Sequence, residues 1–285
     1  MRTLSNLKPP SQRPSLQGLR VAFLMSVYRE ERPEFLRQSL ESMCRQTYGN
    51  LDIHIFEDGN LGEELSQVLF FYGGRHSNLF FHRHAENRGL AVCLNELIEK
   101  LKDSYDYFAR MDSDDVSFPD RVQKQVEFLE AHPEIDVVGG SILDIDESGR
   151  YLKEVRYPED HQTIVKFFQK RNPMAHAAVM YRRSYFEKAG LYPPVRLEDG
   201  LYWMQGIMAG CRFHNIPDFL LGVRRTEDFL KRRSGLKKAW DEFKIKLTIN
   251  RRLGFGAVAY LYSVAIFLMQ LLPIPIKKIL YEKLR

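Results

Sequence analysis

Cysteine is scarce in this 285-residue chain: Cys44, Cys93 and Cys211 are all there is, and no two stand at a spacing that would build a zinc site or a redox pair. The scarcity argues against a disulfide-stapled secreted scaffold and for reduced, buried thiols in a cytosolic protein. Glycine-rich phosphate loops are missing as well. No G-x-x-x-x-G-K-[ST] occurs, and no apolar strand runs into G-x-G-x-x-G, so ATP-driven phosphoryl transfer and dinucleotide redox chemistry lose ground. There is no evident Ser-His-Asp or Cys-His arrangement, no internal repeat and no low-complexity tract. A large excess of one charge is absent too: 42 basic against 37 acidic residues leave a net +5, spread along the chain. Residues 1–18 are polar, carry Pro9, Pro10 and Pro14, lack the apolar segment of a secretion signal and read as a flexible leader.

What is present is a core-forming composition, 44% apolar and 28% charged, enough for one large or two small domains without staples. From residue 19 to 145 apolar runs alternate with helix-period segments, the pattern of βα units around a largely parallel sheet. The strands are expected at 20–27, 51–56, 79–84, 107–111 and 136–143. Helices with one apolar face are expected at 33–47, opening on Pro33, and at 90–101. The second half is less regular, with a helix at 160–169, a strand at 177–181 and a helix opening at Leu197.

In open sheets of this kind ligands bind beyond the carboxyl ends of the strands. The expected ends carry "SVYREE", "FEDGN", "HAENRG" and "MDSDD", which puts Ser26, Glu30, Glu57, Asp58, Asn87, Arg88 and the Asp112 to Asp115 cluster on one rim. Three carboxylates so close together repel one another unless a cation joins them, and carboxylate oxygen is the donor that Mg²⁺ and Mn²⁺ favour. A calcium loop counted from Asp112 would need glycine sixth and glutamate twelfth, where Ser117 and Gln123 stand. Capping of a helix near Pro119 by Asp114 or Asp115 would explain one carboxylate of the three.

The uncharged run at 254–276 has basic flanks, "RRSGLKK" and "NRRLGFG" before it and Lys277 and Lys278 after it. Gln270, Pro273, Pro275 and tyrosines at 260 and 262 interrupt it. It reads as a helix or helical hairpin lying in a membrane interface, the alternatives being a buried core helix or a single span.

Taken in order, "VAFLMSVYREERPEFLRQSLESMCRQTYGNLDIHIFEDGN", "ENRGLAVCLNELI", "YFARMDSDDVSFPDRVQKQVEFLEAHPEIDVVGG", "HAAVMYRRSYFEKAGLY" and "EDGLYW" resemble the family 2 glycosyltransferases, over roughly residues 20–225. Among members the chain looks most like bacterial enzymes that extend exopolysaccharide or O-antigen repeat units. The resemblance implies the GT-A fold: an α/β domain at 19–228 with a mostly parallel central sheet flanked by helices, its nucleotide-binding part at 19–147 and its acceptor part at 148–228. A basic and apolar helical extension at 229–285 would associate with the membrane. It also implies roles. Ser26, Tyr28 and Glu30 would line the uracil and ribose side, Asp58 would hydrogen-bond the base, and Arg88 would reach the nucleotide or diphosphate. Asp114 would ligate Mn²⁺ or Mg²⁺ directly, with Asp112 beside it nearer the ribose or donor sugar and Asp115 a weaker candidate. Asp199 would be the general base. His176 would touch the diphosphate or acceptor, or else be structural; Trp203 would stack on an acceptor sugar or pack in the core; Arg224 and Arg225 would approach the donor phosphates or lie in solvent. His54, His82 and His84 read as scaffold.

The implied activity is inverting, metal-dependent transfer from a nucleotide sugar, a UDP-sugar in the first instance, to a lipid-linked saccharide at the cytoplasmic face of the plasma membrane, with no nucleic-acid partner. Two departures qualify it. Members often read "EDYDLW" where Leu201 follows "EDG" here, and "VDDGS" where Glu57 stands here. The rivals are a sugar-nucleotide nucleotidyltransferase, whose glycine-rich arginine loop after the first strand is missing, and a non-catalytic nucleotide-binding or membrane scaffold.

Overall fold

A computed structural model describes residues 18–195, 197–226, 235–273 and 276–277. The expected leader, apart from Gly18, and the opening of the C-terminal extension lie outside the described residues. In chain order the first half runs β1 (Val21–Val27), α1 (Pro33–Cys44), β2 (Leu51–Asp58), α2 (Glu63–Gly73), β3 (Leu79–His84), α3 (Leu90–Leu101) and β4 (Tyr107–Arg110). There follow β5 (Val116–Ser117), α4 (Arg121–Ala131), β6 (Val137–Ile145), β7 (Tyr151–Val155), α5 (His161–Phe168), a 3₁₀ turn (His176–Ala178) and β8 (Met180–Arg182). The chain ends in α6 (Arg183–Ala189), α7 (Glu198–Met208), β9 (Phe213–Arg224), α8 (Leu236–Arg252) and α9 (Ala257–Leu271).

β1 is apolar almost throughout because both of its faces are covered, as parallel strands between helices require. Val21, Phe23, Met25 and Val27 join a core with α1, α2 and α4, while Ala22 and Leu24 face a second core with α3 and α7. The sheet order is β3-β2-β1-β4-β8-β6-β9-β5, with β7 on β6. The first four strands are mutually parallel; β8 runs antiparallel to both β4 and β6, and β6 pairs β9 in parallel. Order reverses at β1, between β2 and β4, which is the switch point where such sheets open a crevice for ligands.

Local departures from the expected elements have identifiable causes. α1 stops at Cys44 rather than Thr47 because Thr47 leaves the helix to donate its N–H to the Pro119 carbonyl at 2.8 Å. The run expected as a strand at 177–181 opens as the 3₁₀ turn and pairs only from Met180. β9 escaped the sequence pattern because Pro217 interrupts it; the register against β6 shifts there, Gly140 facing Ile216 and Ser141 facing Phe219, so the proline sits in an irregularity that asks for no ladder N–H.

Beneath the sheet's reactive rim, α4 carries a buried polar brace. Arg121 donates to the Arg110 carbonyl at 2.7 Å, and Gln125 Nε2 donates to the Val138 and Ala178 carbonyls at 3.0 and 2.9 Å, joining β4, β6 and the 3₁₀ turn. Gln125→Leu strips donors from buried carbonyls, each worth about 1–3 kcal/mol when orphaned. We expect a loss of about 2–4 kcal/mol in urea unfolding, and an unchanged midpoint would show that the brace is not structural.

α8 and α9 form an antiparallel hairpin. Trp240 and Phe243 of α8 meet Phe267 of α9, and buried Asn250 donates to the Ser263 hydroxyl at 3.0 Å. α9 buries only Ala259 and Ser263 and leaves Val258, Leu261, Val264 and Leu268 exposed, so it is not a core helix. Its 15 residues extend about 22 Å, short of the roughly 30 Å of a hydrocarbon layer. Among the described residues no helix is long and apolar enough to cross a membrane.

Candidate active site

The aspartate cluster occupies the loop between β4, which ends at Arg110, and β5, which pairs antiparallel with β9. Both ends of the loop are therefore held by the sheet. Ligand oxygens of Asp112, Asp114 and Asp115 all lie within 4.8 Å of one another. Asp115 is buried and accepts from the Arg224 N–H at 2.9 Å; burial first, then Asp114 and Asp112, push its carboxyl well above the usual range. Arg224 is a buried cation beneath the loop and not a solvated one, donating to the carbonyls of Asp114 and Glu147 at 2.8 and 2.9 Å and to Gln38 Oε1 at 2.7 Å. Arg225 pairs with Asp144 at 2.6 Å. Ser113 donates to Glu31 Oε2 at 2.5 Å, which ties the loop to the turn after β1, and Asp112 pairs with the buried Arg110.

Neither acid caps α4, whose N-cap is Asp120. Three crowded hard oxygen donors are what a divalent cation would relieve, and these residues fit such an ion.

Across the crevice, Leu197 adopts a left-handed φ of 64°, uncommon for a residue with a branched side chain, and turns the chain into α7. Glu198 and Asp199 follow at once. Asp199 Oδ2 accepts from Asn172 Nδ2 at 2.5 Å and Oδ1 from the Gly200 N–H at 2.8 Å. Glu198, 13% exposed, has Oε1 3.9 Å from His176 Nδ1, and burial pushes its carboxyl up to about 7.

A raised pKa means that the folded state holds a proton which the unfolded state has released above about 4.5. Stability therefore falls as pH rises from there through 7, and the loss is complete above 7. Glu198→Gln should raise the melting stability at pH 8 by on the order of 2–3 kcal/mol and leave it unchanged at pH 4; equal changes at both would dismiss the shift.

His176 opens the 3₁₀ turn, with Nε2 2.9 Å from the Tyr192 hydroxyl; burial, then Arg110, hold its ring well below the usual range and therefore neutral. Trp203 is 1% exposed, stacked on Tyr181 at 6.1 Å and edge-on to His176 at 5.8 Å. It packs in the core and is not available to an acceptor sugar.

The other rim residues sit on the ends of β1, β2 and β3. Ser26 is half-buried, and Tyr28 and Glu30 are exposed beyond β1. Asp58 is buried and accepts the backbone N–H groups of Arg88 and Gly89 at 2.6 and 2.9 Å, which shapes the loop after β3. Gly59, φ +87°, lets that approach occur: a Cβ there would stand 2.8 Å from the Asn87 nitrogen. Arg88 reaches Glu96 at 3.2 Å and His84 at 3.3 Å, along the β3–α3 edge.

His54 bonds the Tyr105 hydroxyl at 2.9 Å, and burial lowers its pKa to about 4. The Cys93 thiol, near Asp58 and His84, is pushed up to about 12 by burial, so it offers no thiolate at neutral pH.

The structure thus gathers Asp112, Asp114 and Asp115 in one place, and Glu198, Asp199 and His176 in another. Arg110 links them, through its ion pair with Asp112 and its electrostatic contact with Glu198 and His176. Arg110, Glu31 and Asn172 were missed in sequence; a charged residue at the end of the apolar run "YFAR" was the one available signal.

The model of glycosyl transferase family 2 matches residues 23–190, more than half of the chain. An uncharacterized glycosyltransferase of Haemophilus influenzae is 35% identical over 270 residues, covering 93% of this chain and 98% of that protein. The amylovoran biosynthesis glycosyltransferase AmsE of Erwinia amylovora is 32% identical, with coverage of 91% and 97%. A UDP-Gal:alpha-D-GlcNAc-diphosphoundecaprenol beta-1,3-galactosyltransferase of Escherichia coli is 24% identical, with coverage of 91% and 94%. Among solved structures, S. aureus TarS 1-349 in complex with UDP superposes with a TM-score of 0.61 at 16% identity, covering 87% of this chain and 70% of that one. The mannosyltransferase PcManGT of Pyrobaculum calidifontis, in complex with GDP-Man and Mn²⁺, gives 0.61 at 16% identity, covering 93% and 79%. The matched family model, the near full-length relatives and the shared sheet together place this chain in glycosyl transferase family 2, with the GT-A fold.

Proposed function

We propose that this protein is a metal-dependent, inverting glycosyltransferase that moves a sugar from a nucleotide donor, a UDP-sugar in the first instance, to a lipid-linked saccharide in surface polysaccharide synthesis. The observation that carries the reading is the sheet-held cluster of Asp112, Asp114 and Asp115 facing the Glu198–Asp199 pair across one crevice. The amylovoran enzyme, the galactosyltransferase with a diphosphoundecaprenol-linked acceptor and the UDP-bound TarS support the pathway, acceptor and donor class respectively.

Each residue then has a task. A divalent Mn²⁺ or Mg²⁺ held by Asp114 and Asp112 would supply Lewis acidity at the leaving diphosphate. Ser26, Tyr28, Glu30, Asp58 and Arg88 bind the nucleotide from the ends of β1, β2 and β3. Arg110 orients Asp112. Asp199 takes the proton of the acceptor hydroxyl as it attacks the anomeric carbon, its orientation set by Asn172. His176, held neutral by burial and by Arg110, lines the crevice without adding a positive charge beside Asp199. One displacement inverts the centre, so no enzyme nucleophile is needed. The hairpin of α8 and α9 rests on the cytoplasmic membrane face through its exposed apolar residues and basic neighbours.

The test is nucleotide release from a panel of UDP-, GDP- and dTDP-sugars, with Mn²⁺, Mg²⁺ or chelator, in the presence of lipid extract from a polysaccharide-producing bacterium. Release of one nucleotide that needs both metal and extract supports the reading. Absence of both release and metal-dependent nucleotide binding would leave a non-catalytic scaffold.

A further inference from the structure

The hairpin touches the acceptor side of the crevice at Lys246. From the middle of α8 its half-buried ammonium donates to the Lys170 carbonyl at 3.3 Å, with Glu242 and Asp199 the carboxylates in its field. Two residues beyond Lys170, Asn172 holds Asp199, and Gly200 lies against Ile249 of α8. Residues 170–172 and Lys246 therefore form the wall directly beside the proposed base. Lys170 is exposed and places its own ammonium 5.6 Å from the ring of Tyr262 on α9, while Arg171 lies 5.0 Å over Phe167. Past Tyr262, α9 presents Leu261 and Leu268, 68% and 56% exposed, to solvent. A carboxylate, a cationic wall on the turn after α5, and the aromatic ring and apolar face of α9 are thus linked through α8.

No donor task uses that wall, since the donor site lies at the Asp112–Asp115 loop and the ends of the parallel strands. Lysine and arginine side chains gathered beside a carboxylate recognise a compact anion. A bulk phospholipid headgroup would instead meet the exposed Lys237 and Lys244 and the half-buried Lys238 of α8.

We infer that Lys246, Lys170 and Arg171 seat the diphosphate of a polyprenyl diphosphate-linked acceptor, with the prenyl chain along the exposed face of α9 and the acceptor sugar at Asp199. The inference deepens the glycosyl-transfer reading and rests on it. It requires that the lipid be recognised as a diphosphate rather than by membrane charge alone.

The experiment compares binding of the full chain to phosphatidylcholine nanodiscs carrying a long-chain polyprenyl diphosphate, to nanodiscs carrying phosphatidylglycerol at equal charge, and to phosphatidylcholine alone. The wild type should prefer the polyprenyl diphosphate over phosphatidylglycerol by about tenfold, the size of one charged contact. Lys246→Gln and Lys170→Gln should each cut that preference to about twofold or less while nucleotide binding with Mn²⁺ persists, which shows the variants folded. Lys237→Gln with Lys238→Gln should weaken binding to both anionic discs alike. Equal binding of the wild type to both discs, or an undiminished preference in Lys246→Gln, overturns the assignment. Failure of the wild type to bind any nucleotide with metal would instead remove the glycosyl-transfer reading beneath it.

Discussion

Asp114→Asn should lower the proposed metal-dependent transfer by about a thousandfold or more, equivalent to about 4 kcal/mol of transition-state stabilisation. It should also abolish the rise in melting temperature expected of the wild type with Mn²⁺ and UDP together. The reason is electrostatic. The loop brings three acids within 4.8 Å of one another, and burial, then Asp114 and Asp112, push the Asp115 carboxyl up while its oxygen is engaged by the Arg224 N–H, which leaves the less buried Asp114 and Asp112 as the accessible donors. An amide at 114 keeps the volume and the backbone carbonyl that Arg224 grips, so the loop stays in place. Without metal, the variant should melt no lower than the wild type, since it relieves repulsion within the cluster. Wild-type stabilisation by Mn²⁺ and UDP in the variant would remove Asp114 from the metal site.

Asp199→Asn is the second large effect. Transfer to the acceptor should fall by about 10²–10⁴, the usual worth of general-base catalysis, while the affinity for the nucleotide with metal stays within about twofold. The split follows from the proposed division of the site: Asp199 engages Asn172 and Gly200, whereas the proposed donor contacts come from the strand ends. Glu198→Gln is the internal comparison. Its carboxyl stands toward His176 and titrates at about 7, so it shares the crevice with Asp199 but sits on the other side of the α7 terminus. Retention of transfer in Asp199→Asn with its loss in Glu198→Gln would move the base to Glu198.

Much of this site could be read along the chain. β1 to β4 announced themselves as apolar runs because both sheet faces are covered, and their ends carry the rim residues, which the sheet then orders as β3-β2-β1-β4. The aspartate loop stood out because such charge density is unfavourable without a partner, and the Glu198–Asp199 pair because it resembles the family's acidic motif. β9 stayed hidden because Pro217 broke its pattern, and with it went the true place of Arg224, which only long-range pairing puts under the loop. Trp203 was ambiguous because helical spacing from Asp199 says which face a residue shares and not what covers that face.

Local chemistry therefore carried the fold class, the strand ends and the acidic donors, since apolar periodicity and charge density are properties of neighbouring residues. The raised pKa of Asp115, the neutrality of His176, the raised titration of Glu198, the reach of Lys246 toward Asp199 and the bracing of the loop by Arg224 all depend on burial and on partners as much as 186 residues distant in the chain. Desolvation and long-range contact exist only once the sheet, its two cores and the hairpin have closed around those groups.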